Sequence, residues 1–101
     1  MDRLEFFARA VADEPDEPRA RFGYAVALRA AGRTDEAVEQ FRAYLGLTTD
    51  EGNGWQRLGE ALAELGRADE AADAYLAGID AALAHGHTGM AQDLQDLLEA
   101  L

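Results

Sequence analysis

The chain has no cysteine and no lysine, only two prolines, and no long apolar run. The lack of cysteine excludes disulfides and thiol chemistry. A helix that spans a bilayer needs about 20 consecutive apolar residues, and no segment approaches that length. The N-terminal segment, residues 1–5, is charged and lacks the apolar core of a signal peptide. We therefore expect a cytoplasmic protein.

Positive charge is scarce as well, since nine arginines stand against 20 aspartates and glutamates and give a net charge of −11. A nucleic-acid-binding protein normally shows a basic stripe, and an anionic membrane surface would repel this chain. We therefore expect neither nucleic acid nor membrane as a partner. The acid excess favours solubility, and together with the missing lysine it is also typical of a halophilic source.

The feature that stands out is an internal repeat. The segment 32–37 (GRTDEA) returns as 66–71 (GRADEA). When residues 18–51 are aligned with 52–85, identical residues occur at Ala27/Ala61, Leu28/Leu62, Gly32/Gly66, Arg33/Arg67, Asp35/Asp69, Glu36/Glu70, Ala37/Ala71 and Ala43/Ala77. A fixed period of about 34 residues indicates stacked helix hairpins, none of which buries its apolar face alone. Such arrays present a surface and seldom carry out chemistry.

Apolar residues three and four apart predict six helices, over residues 2–13, 16–31, 34–47, 50–65, 68–85 and 88–101. Glycines that follow the second, fourth and fifth helices predict their ends, because a C′ residue often needs left-handed backbone. Asp16 and Thr34 are the predicted N-caps of the second and third helices, and no side chain is expected to cap the fifth. For the fourth helix we favour a start near Asp50 over Asn53, because the aligned Asp16 begins its own helix.

The opening segment also obeys the repeat, since Phe7 falls on Phe41 when it is shifted by one repeat length. The chain thus opens on the second half of a hairpin whose first helix is missing. We predict a single domain over 1–101, with a half repeat (1–17), two repeats (18–51 and 52–85) and a C-terminal capping helix (86–101). Leu4 and Phe6 would then be exposed. A second copy could cover them in a homodimer, although single exposed apolar residues are normal.

This pattern resembles the tetratricopeptide repeat. The second unit is similar to the family motif at Trp55, Leu58-Gly59, Leu62, Gly66-Arg67, Ala71 and Tyr75. The first unit agrees at Ala37 and Phe41 but carries Arg21, Ala25 and Leu28 where the family has an aromatic opener, a glycine and a tyrosine. The resemblance implies an all-α fold, an α-α superhelix of stacked antiparallel helix hairpins with about six helices.

In this family the first helix of each hairpin lines a concave groove that binds extended peptides. By position, the resemblance implies that the partner-binding residues are Arg19, Phe22, Val26, Arg29, Asn53, Gln56, Arg57, Glu60 and Glu64. Phe22 and Val26 lie off the buried stripe of their helix, so they either form a contact surface or are covered by a neighbouring helix. They also stand where the family's chaperone-binding members need Lys and Asn to grip a C-terminal carboxylate. Only Arg57 fits that clamp, which argues against binding of a chaperone tail.

No grouping of residues indicates catalysis. His85-Gly86-His87 lacks a third metal ligand nearby, and a helix-end cation explains it better. The acidic pairs of the repeat suit the first turn of a helix, and no calcium loop, nucleophile elbow or phosphate loop is present. We expect no enzyme activity, no metal and no cofactor. The predicted function is a non-enzymatic module that binds a peptide or partner segment in its groove. The alternative is a self-associating structural unit that uses Phe6, Phe22 and Val26.

Overall fold

The computed structural model describes residues 1–101, which form six α-helices and no strand. Their bounds are α1 Arg3–Asp13, α2 Pro18–Ala30, α3 Thr34–Leu47, α4 Asn53–Glu64, α5 Ala68–Ala84 and α6 Thr88–Glu99. The predicted all-α class and the predicted number of helices are confirmed. None of the six helices combines the length and apolar character needed to cross a membrane.

The helices form two compact units, residues 1–49 and 50–101. In the first unit α2 packs against both α1 and α3, and in the second α5 packs against both α4 and α6. The pairs α2/α3 and α4/α5 are the two hairpins that the repeat predicts. Each unit therefore contains one full hairpin and one further helix. The division into a half repeat, two repeats and a capping helix stays a prediction.

Three helices end in the same way, at glycines with a positive φ: Gly32 at 79°, Gly66 at 74° and Gly86 at 75°. In each case the N–H of the next residue donates to a carbonyl five positions back, with distances of 2.9 Å for Arg33 to Leu28, 3.0 Å for Arg67 to Leu62 and 2.8 Å for His87 to Ala82. This pattern is the Schellman motif, which satisfies carbonyls that the helix leaves open. The predicted ends of α2, α4 and α5 are thus confirmed.

The starts of α2 and α3 differ from prediction. The N-cap of α2 is Glu17 and not Asp16, because the Glu17 carboxylate accepts a hydrogen bond from the Arg19 backbone N–H at 3.1 Å. Thr34 is the first residue of α3, whose N-cap is Arg33 with no side-chain hydrogen bond. The start of α5 at Ala68 without a side-chain cap agrees with prediction.

The start of α4 was predicted near Asp50 but lies at Asn53. The physical reason is Gly52, whose φ of 129° is incompatible with a helix at that point. Asp50 still serves the helix from outside, since its Oδ1 accepts from the backbone N–H groups of Gly52 and Gly54, each at 2.8 Å. A carboxylate that precedes the N-cap residue therefore satisfies backbone N–H groups at the start of the helix, as a capping side chain would.

Each hairpin buries the small and aromatic residues of the repeat motif. The buried side chains include Ala25, Leu28, Ala37 and Phe41 in the first unit and Leu58, Leu62, Ala71 and Tyr75 in the second. Gly59 of α4 lies directly against the ring of Tyr75, with no room for a β-carbon. At Gly78 of α5 a β-carbon would lie 3.0 Å from Trp55 Cβ and 3.1 Å from Leu94 Cδ1. Residues with little or no side chain thus set the distances between helices.

Candidate functional site

The repeated acidic pairs have a structural role at the start of α3 and α5. Two guanidinium nitrogens of Arg33, Nε and Nη2, donate to the Glu36 carboxylate at 2.6 and 2.7 Å, and Arg67 contacts Glu70 in the same way. The hydrogen bond from Arg33 lowers the pKa of Glu36, and the pKa of Arg33 is raised by the same contact. Because both side chains of the pair are exposed, water screens the attraction, and the pair contributes little stability. The motif therefore has a structural role in the turn of each hairpin.

The predicted binding residues of α2 form one stripe along the helix, because their spacing is three or four residues. Arg19 is exposed, whereas Phe22, Val26 and Arg29 are half-buried. The opposite side of α2 buries Ala25, Ala27 and Leu28. The stripe therefore lies off the buried side of the helix, as the resemblance implies.

The sequence did not decide whether Phe22 is covered by a neighbouring helix, and the structure shows that two rings contact it. Its ring meets the ring of Phe41 edge-on at a centroid distance of 5.8 Å and that of Tyr44 at 5.1 Å. Edge-to-face contacts at such distances are favourable between aromatic rings. Helix α3 thus covers part of Phe22, which acts in the packing of the hairpin. Val26 is half-buried without such a ring contact.

The predicted residues of α4 form a second stripe, in the second unit. Asn53 and Glu64 are exposed, and Gln56, Arg57 and Glu60 are half-buried. Leu58, Ala61 and Leu62 on the other side of the helix are buried. This stripe carries amide, cationic and anionic groups, whereas α2 has three arginines and no acid within its bounds.

Sequence reasoning missed a cleft between α1 and α2. It has a volume of about 310 Å³, and its lining includes Phe6, Phe7, Ala10, Asp13, Glu14 and Arg19. The side chain of Phe6 is 57% exposed. The sequence did predict an exposed Phe6. Only the fold shows that the aromatic and acidic residues border the same space.

The two histidines lie beside each other near the start of α6. Their rings stack at 6.3 Å, His85 Nδ1 lies 2.8 Å from the carbonyl oxygen of Ala81, and His87 Nε2 lies 2.8 Å from the Glu51 carboxylate. His87 stands at the turn position that Arg33 and Arg67 hold in the hairpins. No group of three or more His, Cys, Asp or Glu side chains is placed to hold a metal ion. These contacts give the histidines a role in the α5–α6 turn.

The chain matches two family models described as tetratricopeptide repeat, over residues 4–54 and 53–85. No curated protein matches the chain in sequence.

Solved structures of similar fold cover nearly the whole chain. It is similar to PcrH in complex with the chaperone binding region of PopD, with 18% identity and a TM-score of 0.87 over 96% of this chain and 74% of PcrH. It is also similar to the Yersinia enterocolitica type III secretion translocator chaperone SycD, with 17% identity and a TM-score of 0.86 over 96% and 68% of the two chains. The Sgt2 TPR domain from Aspergillus fumigatus gives 22% identity and a TM-score of 0.73 over 95% and 66%.

At these identities the structural likeness shows the fold, and the two family models together account for most of the sequence. The chain belongs to the tetratricopeptide repeat family.

Proposed function

We propose that the chain is a non-enzymatic protein-interaction module that binds a peptide or partner segment along α2 and α4, in the concave groove that the family resemblance implies. The observation that carries this proposal is the pair of stripes described above. Each first helix buries one side against its hairpin partner and leaves polar, charged and apolar groups on another. Two structures of similar fold contain such partners, a region of PopD bound to PcrH and a YopD peptide bound to SycD.

The chemistry of the stripes suits an extended segment. Arg19 and Arg29 of α2 can donate paired hydrogen bonds to carboxylates, and Val26 offers apolar surface between them. Gln56 of α4 can donate to and accept from a peptide backbone, and Arg57 and Glu60 add one cationic and one anionic group to the stripe. Carboxylates of a ligand would suit the α2 stripe, and mixed polar groups would suit the α4 stripe.

The test is capture of partners from a lysate of the source organism by variants of the two stripes. Because Phe22 packs on α3, we leave it intact and combine Val26→Ser with Arg57→Gln. The matched control makes the same kinds of change on second helices, with Leu76→Ser and Arg42→Gln, both at exposed residues. We expect the first variant to lose the partners that wild type and control retain, at equal helicity by circular dichroism. Equal capture by both variants would place the site elsewhere.

The alternative function, self-association, is favoured by one observation, the exposure of Phe6 on α1. Two copies that each carry a net charge of −11 repel each other, which opposes this function. Sedimentation equilibrium decides between the two. A monomer mass that does not change with protein concentration would exclude a self-associating unit, whereas a dimer would support it.

A further inference from the structure

The starting observation is that α1 has an open face where the related helix α3 has a neighbour. Phe7 and Ala10 of α1 correspond to Phe41 and Tyr44 of α3, one repeat length later. In α3 these two positions contact the ring of Phe22 from α2, the first helix of the same hairpin. In α1 they border the cleft of about 310 Å³ instead. Consistent with this difference, α3 has three buried residues and α1 has none.

The shape of the cleft suits a large apolar side chain. Phe6 and Phe7 meet edge-on at 5.1 Å, and Phe7 also lies against Gly23 of α2. Ala10 stands where α3 has the larger Tyr44, so the space beside it stays open. An aromatic or large aliphatic group that enters here would bury much of the exposed Phe6 ring, which is favourable.

The charge around the cleft indicates what should flank that apolar group. Asp13, Glu14 and Glu17 border it, and Arg19 is the only cation in its lining. The helix that occupies the corresponding place against α3 is α2, which carries three arginines and no acid. The carboxylates of Asp13, Glu14 and Glu17 in the lining favour a basic occupant of this kind. A second copy of this chain would bring the same acidic residues to the same place, so the charge disfavours it.

We propose that this cleft docks a basic amphipathic helix from a partner protein. One large apolar side chain of that helix packs beside Phe6 and Phe7, while its Arg or Lys residues face Asp13 and Glu14. Arg3 stands in α1 where α3 has the fully buried Ala37, and its bulk keeps the partner helix away from the first turn. Docking is thus confined to α1 from Phe6 onward. This surface shares Arg19 with the α2 stripe of the proposed peptide site, and its other lining residues lie outside both stripes.

The probe for the test is a fluorescent, end-capped peptide with the sequence of α2, residues 18–30, because α2 fills the corresponding place against α3. Fluorescence polarisation with the full chain should show saturable binding that weakens as salt is raised, since opposite charges are screened. A peptide with Phe22→Ser should bind about tenfold more weakly, because it lacks the apolar anchor.

Variants of the chain locate the binding. Phe6→Ser should weaken binding about tenfold, and Asp13→Asn with Glu14→Gln should weaken it severalfold and flatten its salt dependence. The matched controls on α5, Leu76→Ser and Asp73→Asn with Asp80→Asn, should bind as wild type does. The changed residues are exposed, so circular dichroism should show equal helicity for all four variants.

Several outcomes would overturn the proposal. The first is that the α2 peptide shows no saturable binding to the chain. The second is that the cleft variants bind the peptide with the same affinity as their controls. Loss of the peptide in the Val26→Ser, Arg57→Gln variant, with Phe6→Ser unaffected, would assign the binding to the α2 and α4 stripes. A dimer of the peptide-free chain that Phe6→Ser dissociates would show that a second copy occupies the cleft.

Discussion

Residues without a side chain lie at close approaches between helices in both units. In the second unit Gly59 touches the ring of Tyr75, and Gly78 meets both Trp55 and Leu94. In the first unit Gly23 lies against Phe7. Glycine lowers the intrinsic stability of a helix by up to about 1 kcal/mol relative to alanine. Tertiary packing must therefore offset this loss of helix stability. It does so because the missing side chain lets an aromatic ring or a neighbouring helix pack closely against the glycine.

Substitutions at Gly59 measure the balance between helix propensity, which favours alanine, and close packing, which favours glycine. Gly59→Ala should destabilise the chain, because the new methyl group collides with Tyr75, and overpacking costs about 1–3 kcal/mol. Gly59→Leu should cost more than about 2 kcal/mol. The matched control is Gly46→Ala on α3, where no atom lies within 4 Å of the added carbon. It should be neutral or stabilising by up to about 1 kcal/mol. Urea unfolding followed by circular dichroism gives these free energies.

Helix propensity favours alanine at both positions, so a loss of stability in Gly59→Ala alone would report the collision with Tyr75. If Gly59→Leu melts as wild type does, the packing of Gly59 on Tyr75 is wrong.

At the level of helices, the ends marked by a glycine were predictable, whereas the starts of α2, α3 and α4 were not. A C′ glycine ends a helix through its own backbone, so Gly32, Gly66 and Gly86 could be identified from single positions. A helix start depends on which of several acceptors reaches the open N–H groups. Asp16 and Asp50 are equivalent in the repeat, yet Glu17 caps α2 while Asp50 bonds to two backbone N–H groups before α4. The difference arises from Gly52, where the first repeat has Pro18.

This difference gives a prediction for α4. Asp50→Ala should cost about 0.5–2 kcal/mol, since it leaves two N–H groups without their acceptor. Asp50→Asn keeps an oxygen acceptor and should lose much less. Asp16→Ala, the equivalent change in the first repeat, should leave stability nearly unchanged because Glu17 caps that helix. Chemical unfolding of the three variants provides the measurement. Equal losses for Asp16→Ala and Asp50→Ala would contradict the capping described here.

The candidate site shows the same limit of prediction. The stripe residues on α2 and α4 were assigned by position from the family resemblance, and helix geometry places them along one side of each helix. The rings that cover Phe22 could not be foreseen, because Phe41 and Tyr44 lie on the next helix and only the hairpin brings them to it. The cleft beside Phe6 likewise needs α1 and α2 packed together before its acidic border exists. Which residues share one side of a helix could be predicted, whereas which side chains of a neighbouring helix cover them could not.

At the scale of the whole molecule, 20 carboxylates and nine guanidinium groups share a chain of 101 residues. Ion pairs such as Arg33 with Glu36 neutralise some of these charges locally, but the net charge of the chain remains −11. Repulsion of this kind disfavours a compact state and is weakened by salt. Because the paired residues are exposed, their attraction is also screened and offsets little of the repulsion. The folded state should therefore gain stability when ions are added.

The melting temperature should rise as sodium chloride increases from about 10 mM to about 150 mM, since the screening length falls from about 30 Å to about 8 Å over this range. Above that concentration we expect the rise to flatten, because little repulsion is left to screen. A steep rise that continues to molar salt would instead support a halophilic source. The double variant Asp73→Asn, Asp80→Asn, which changes the net charge from −11 to −9, should show a smaller rise at low salt. A melting temperature that stays constant over the same low-salt range would show that local pairing already balances the acid excess.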